Sequence, residues 1–165
     1  MSIKTKIASL NLCLGLRNKK EEVKRLIIKN EIDILCLQET EIPSNYPTSL
    51  LTFSGFNFEC ENNDLKARCG IYISNSVSYV RRLDIETKNV HVVIIDLNDK
   101  PKTRIINLYR SFNPPNGQTQ KQFFESQIFS VQNLLTKNTI LLGDFNLDHK
   151  KDMISITAIS TTSQF

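Results

Sequence analysis

Five of the six residues from Ile32 to Leu37 are apolar, with only Asp33 intervening, and Gln38-Glu39 follow at once. A run that continuously apolar has no side to offer to water, so it predicts a strand central in a sheet and covered on both faces. Upstream, residues 7–12 read as a second strand, with Asn11 near its end. Between the two strands, Asn18 offers an N-cap with Glu21 three positions later as a partial capping box. Val23, Leu26 and Ile27 form one apolar stripe, and Asn30 suits a left-handed stop. The first forty residues therefore predict a strand–helix–strand unit whose strands both run out into polar residues: Asn11, then Gln38-Glu39.

The middle of the chain changes character. Residues 43–55, with Pro43 and Pro47, read as a loop or a short irregular helix. Strand patterns follow over 56–59, 69–73, 77–82, 90–97 and 103–109. Ser74-Asn75-Ser76 and Asn98-Asp99-Lys100-Pro101 read as hairpin turns, and strands in such close succession predict antiparallel pairing. Pro114-Pro115 forbids helix. Thr119 and Gln122 make a capping box, and Phe124, Ile128, Val131 and Leu135 follow at helical spacing up to a stop at Asn138. Ile140-Leu141-Leu142 then predicts a short buried strand that runs into Gly143-Asp144-Phe145-Asn146. Helices beside a mixed sheet system make this an α/β (α+β) layered fold.

At 165 residues the chain has the length of one domain, and 40% hydrophobic with 23% charged residues excludes a disordered or membrane-embedded class. No apolar run approaches the roughly 18 residues a membrane span needs. The first twenty residues, broken by Lys4, Lys6, Ser9 and Asn11, do not form a secretion signal, so an intracellular place, nucleus or cytoplasm, is expected. Net charge is +4, with a basic cluster in Arg17, Lys19, Lys20, Lys24, Arg25 and Lys29 that permits a polyanionic partner, though charge alone reads first as a solvated helix face. Cys13, Cys36, Cys60 and Cys69 have no CxxC spacing, so no zinc site is expected. Cys36 reads as a buried small hydrophobe, and Cys60 and Cys69 as reduced thiols.

Four predicted strand ends carry groups suited to phosphate chemistry: Asn11, Glu39, Tyr109, and Asp144 with Asn146. Each also has a plain reading. Asn11 makes a good turn residue, Glu39 marks where a strand meets solvent, Tyr109 packs at a core rim, and Asp144 with Asn146 closes an Asx-turn. Their order and company add more than any one of them. Leu35-Cys36-Leu37-Gln38-Glu39-Thr40 matches the LxLQET motif, and Gly143-Asp144-Phe145-Asn146 the GDFN motif, of the endonuclease/exonuclease/phosphatase superfamily. Asn11, Tyr109 in Asn107-Leu108-Tyr109-Arg110-Ser111, and the strand Gly70-Ile71-Tyr72-Ile73 follow the same family's order. Over residues 5–149 the chain resembles that superfamily, and its short loops make it most similar to endonucleases of non-LTR, LINE-type retrotransposons.

The resemblance implies a four-layer αββα sandwich of the DNase I-like type over residues 1–149, with 150–165 an unassigned tail. It implies a Mg²⁺-dependent phosphodiesterase that nicks DNA, Mn²⁺ able to substitute, with no membrane and no obligate protein partner. Glu39 is then the metal ligand and Asn11 its neighbour, either toward the metal's water shell or orienting Glu39. Asp144 orients or deprotonates the attacking water, Asn146 positions water or phosphate, and Tyr109 donates to a non-bridging oxygen. Arg110, Arg17, Lys19 and Lys20 are candidates for flanking phosphates. Similar proteins continue past GDFN through further strands to a Ser/Thr-Asp-His motif, whereas this chain ends at Phe165. The expectation is a truncated copy with its C-terminal strands missing, weak or lost activity and open strand edges, the alternating Ile154, Ile156 and Ala158 offering a patch. His91 reads as a strand residue and His149 as a loop residue. The rivals are a non-catalytic nucleic-acid-binding remnant and a superfamily phosphoesterase acting on a non-DNA ester.

Overall fold

The computed structural model describes residues 4–147; His149 and the alternating Ile154, Ile156 and Ala158 lie outside them. Among these residues, eight strands form two four-stranded sheets. The first contains β1 (Ile7–Asn11), β2 (Ile34–Pro43), β3 (Phe56–Cys60) and β4 (Lys66–Ser74), in the order β1-β2-β4-β3. The second contains β5 (Tyr79–Arg81), β6 (His91–Leu97), β7 (Arg104–Tyr109) and β8 (Thr139–Asp144), in sequence order. Each sheet has one parallel pair, β1–β2 joined through helix α1 (Lys20–Asn30) and β7–β8 joined through α2 (Gln120–Gln132). The remaining pairs are antiparallel.

Three apolar clusters separate four layers. Val23 and Ile27 of α1 pack with Leu35, Leu37 and Tyr72 on the outer face of the first sheet. Ile34, Cys36, Ile71 and Ile73 meet Val93, Ile95 and Ile105 between the sheets. Val131 of α2 and Leu134 just after it cover Val92, Ile94, Ile106 and Leu108 on the outer face of the second. This is the α/β sandwich of DNase I-like type that the motifs imply. β2 is central, with Ile34–Leu37 buried and apolar at every position, as a strand enclosed by α1 on one side and a sheet on the other requires. Cys36 lies in that interior, where burial pushes its thiol up to about 12, and all four cysteines are free.

Several local readings shift. The residue before α1 that caps it is Lys19, which makes no side-chain cap bond, so Asn18 is not the N-cap. The left-handed stop is Glu31 (φ 51°) rather than Asn30, whose amide donates back to Leu26 O. Ser74–Ser76 does not close a hairpin, because β4 and β5 belong to different sheets. The Asn98–Pro101 turn does join antiparallel β6 and β7. The Thr119–Gln122 capping box is present in both directions, but α2 ends at Gln132, ahead of Asn138. β8 is an edge strand among the described residues, and Ile140 on it is 37% exposed, so it is only partly buried. An apolar cleft lined by Phe124, Ile128, Leu135, Leu141, Phe145 and Leu147 runs between α2 and this strand.

Candidate active site

The parallel pairs decide where the polar residues go. β1 and β2 end at one rim of the first sheet, and β7 and β8 end at the facing rim of the second, so their C-terminal residues converge. Asn11 Nδ2 donates to Glu39 Oε1 at 3.1 Å and to Asp144 Oδ2 at 2.8 Å. One amide group thus holds two carboxylates, one from each sheet. Its oxygen is fixed the other way, accepting the Cys13 N–H at 2.8 Å, so nitrogen rather than oxygen faces the carboxylates.

Glu39 reaches this position through a bulge. Gln38 pairs with Cys69 and Ile42 with Ala67, so the three residues Glu39, Thr40 and Glu41 stand opposite Arg68 alone. Glu39 (φ 54°) and Glu41 (φ 51°) both take left-handed backbone, a conformation that costs a side-chain-bearing residue on the order of 1 kcal/mol or more. The segment after β1 holds the bulge in place: Leu12 N donates to Gln38 O, Gly15 N to Glu39 O and Leu16 N to Thr40 O at 2.9–3.0 Å. The Lys19 ammonium braces that segment from below on the carbonyls of Leu12 and Cys13. Strain therefore gathers at the candidate ligand, where surrounding bonds over-determine it.

Beneath the rim, the sheets are tied by a buried amide pair. Gln38 Nε2 donates to Asn107 Oδ1 at 2.6 Å, and Asn107 Nδ2 donates to the carbonyls of Leu37 and Gly70, each at 2.9 Å. Sequence reading missed Asn107, since its partners lie on strands far away in the chain. Asn107→Leu is expected to lower unfolding free energy by roughly 3 kcal/mol, because the Gln38 amide and two carbonyls lose a buried partner together. Urea denaturation of the two proteins measures it, and an unchanged midpoint would exclude a structural role for the pair.

Tyr109 is the register partner of Asp144 and is buried. Its hydroxyl accepts from Arg68 Nη1 at 3.1 Å, and its ring lies against His91, 5.7 Å between centroids. His91 opens β6 as a strand residue, with Nδ1 at 2.8 Å from Glu61 Oε1. Asp144 Oδ1 accepts the Asn146 N–H at 2.9 Å, so the Asx-turn read as the plain alternative exists alongside the carboxylate's contact with Asn11. The Asn146 amide turns away, donating to Arg110 O at 2.6 Å.

Arg110 does not sit where a flanking phosphate could reach it. It is 4% exposed, and its guanidinium donates to Phe145 O and Asn146 O while stacking over Phe124. The expectation of a DNA contact took its charge as a surface feature; the strand end instead tucks it beneath the GDFN turn. Lys20 donates to Leu50 O, and exposed Arg17 lies 5.5 Å from the centre of the Tyr46 ring.

A sequence profile of the Endonuclease/Exonuclease/phosphatase family matches residues 8–160. The chain belongs to this family. No curated protein sequence matches it. Among solved structures it is similar to the endonuclease domain of TRAS1, a telomere-specific non-LTR retrotransposon, with 14% identity, a TM-score of 0.62, and 86% of this chain covered against 58% of that one. It is also similar to the 3′ phosphatase NExo from Neisseria bound to product DNA hairpin, at 21% identity and TM-score 0.60 over 87% of this chain and 58% of the other. An AP endonuclease from Archaeoglobus fulgidus gives 19%, 0.59, 87% and 58%. At such identities the likeness carries the fold, and the chain spans about 58% of the length of these family structures. Among the described residues no helix is long and apolar enough to cross a membrane.

Proposed function

We propose that the chain is a divalent-metal-dependent phosphodiesterase that nicks DNA, of the retrotransposon endonuclease type. The observation that carries this reading is the single Asn11 amide bonded to both Glu39 and Asp144, with Tyr109 as the strand neighbour of Asp144. The similarity to a retrotransposon endonuclease domain and to a DNA-bound 3′ phosphatase supports the choice of DNA.

The donor set suits a hard cation. Mg²⁺ binds through one or two carboxylates and keeps most of its water, with Mn²⁺ taking the same oxygens. Among the described residues Glu39 Oε2 accepts one long hydrogen bond, from the Leu14 N–H at 3.4 Å, which leaves lone pairs for such an ion, and Asp144 lies one hydrogen-bonded amide away. When bound there, Mg²⁺ supplies charge neutralisation for the phosphate and a lowered pKa for water. Asp144, fixed through Oδ1 by Asn146 N–H and through Oδ2 by Asn11, takes the proton of the attacking water on a remaining lone pair. The water oxygen, freed of that proton, bonds to phosphorus as the P–O bond to the leaving oxygen breaks, and the leaving oxygen takes up a proton from solvent, while the Tyr109 O–H donates to a non-bridging oxygen as its charge grows. Asn146, held by its backbone on Asp144, completes the turn that aims the carboxylate.

Nicking of supercoiled plasmid by the purified chain, with Mg²⁺, with Mn²⁺ and with EDTA, tests this. Metal-dependent nicking that falls at least about 100-fold in Glu39→Ala is the expected result. DNA binding without nicking, unchanged in Glu39→Ala, would instead establish a binding remnant.

A further inference from the structure

Arg68 belongs to none of the sequence motifs, yet the structure brings it to the site. It is the one residue of β4 opposite the β2 bulge that carries Glu39. Its Nη1 donates to the Tyr109 phenol oxygen at 3.1 Å, and the guanidinium lies 5.2 Å from the centre of that ring. Nη1 is also 3.4 Å from Glu41 Oε1, and the Arg68 backbone N–H donates to Glu61 Oε2 at 2.9 Å. Glu61 in turn holds His91, whose ring packs on Tyr109. The side chain is thus anchored at its backbone by one carboxylate and at its head by another, and it crosses from the first sheet to the second.

A phenol has one hydrogen to give and two lone pairs to receive, whereas a guanidinium can only donate. Once Arg68 occupies a lone pair of Tyr109, the phenol cannot donate back to it, so its O–H must point to a different acceptor. The adjacent cation also polarises the O–H, and bonds with a charged partner are roughly twice as strong as neutral ones. A plain tie between the sheets would use the contact for stability alone. It would not explain why the donor lies at the level of the bulge and addresses the hydroxyl itself.

We propose that Arg68 is a positioning residue that sets the Tyr109 hydroxyl to donate to a non-bridging oxygen of a phosphodiester. This rests on the reading of the site as a phosphodiesterase centre, and the test has one arm that needs turnover and one that does not. In plasmid nicking, Arg68→Met is expected to lower kcat by about 10- to 100-fold with KM little changed, and Arg68→Lys, which still donates, to recover most of it. On a Tyr109→Phe background the same Arg68→Met change should cost less than about threefold. Equal losses with and without the phenol, or a loss that tracks the unfolded fraction in melting curves, would overturn the proposal.

In the second arm, the full chain carries tyrosine labelled with a heavy carbon isotope at Cζ, and the Tyr109 resonance is identified by its absence in Tyr109→Phe. Dimethyl phosphate, a minimal diester, should move that resonance in the wild type and in Arg68→Lys but not in Arg68→Met. A resonance that stays still in the wild type, or moves equally in Arg68→Met, overturns the proposal whether or not DNA is cut. An Arg68-dependent response from a chain that never nicks DNA would end the nuclease reading and leave this one standing.

Discussion

Replacing Asp144 by asparagine is expected to reduce plasmid nicking by about 10²–10⁴-fold, the range typical of a lost general base. The substitution keeps the shape of the side chain. One oxygen remains to accept the Asn146 N–H, so the turn survives. What changes is the group facing Asn11, where an acceptor becomes a second NH₂ opposite the Asn11 Nδ2 that now donates at 2.8 Å. That mismatch costs on the order of 1 kcal/mol, too little to unfold the chain. Melting curves recorded beside single-turnover nicking separate the two effects. A variant that keeps its transition and loses its rate is the expected outcome, and one that nicks within tenfold of the wild type would show that Asp144 does not take the proton.

Gly143→Ala should produce the largest loss of stability in the molecule, about 4 kcal/mol or more, which is the exceptional end of single substitutions. A Cβ built on Gly143 falls 2.0 Å from the carbonyl oxygen of Leu108 and 2.8 Å from its carbon, both backbone atoms that no rotamer change can move aside. Its φ of 147° is also a conformation that side-chain-bearing residues rarely adopt. Relief would require β8 to lift away from β7, and the pair Leu108–Gly143 is the step next to Tyr109–Asp144 in the same ladder. The variant is expected to be insoluble, or to unfold in urea far below the wild-type midpoint. A midpoint near that of the wild type would mean that β7 and β8 do not pack this closely. The glycine of the GDFN motif is on this account a spacing device, bringing the carboxylate within reach of the first sheet.

The parts of the site that a linear reading could find are those in which residue type and strand end coincide. Glu39 after a doubly covered strand and Asp144 after a short apolar run are visible because each sits where apolar periodicity stops. Residues whose meaning depends on register stayed hidden. Arg68 gains its place only because three residues of β2 oppose it, and no local pattern announces that bulge. Asn107 looks like an interruption in an apolar strand until Gln38 is set against it across two sheets. Arg110 was misread for the opposite reason: its charge was legible, but its burial beneath the GDFN turn was not. The hairpin expected at Ser74–Ser76 failed because a short turn signal says that the chain reverses, not which sheet receives it. At α1, a favourable cap residue at Asn18 was passed over in favour of Lys19, whose ammonium is needed on the carbonyls of Leu12 and Cys13.

The bond between Asn11 and Asp144 joins positions 133 residues apart. Its two ends reside in different sheets, and neither sheet contains both carboxylates. A growing chain accordingly possesses no assembled centre while only its first sheet has been made, however well that half is folded. The order of assembly is written into the topology: closing this 133-residue separation and completing the paired carboxylates are the same event. A chain that stops short of β8 lacks one of the two carboxylates, so the Asn11–Asp144 contact reports on the assembly of both sheets together.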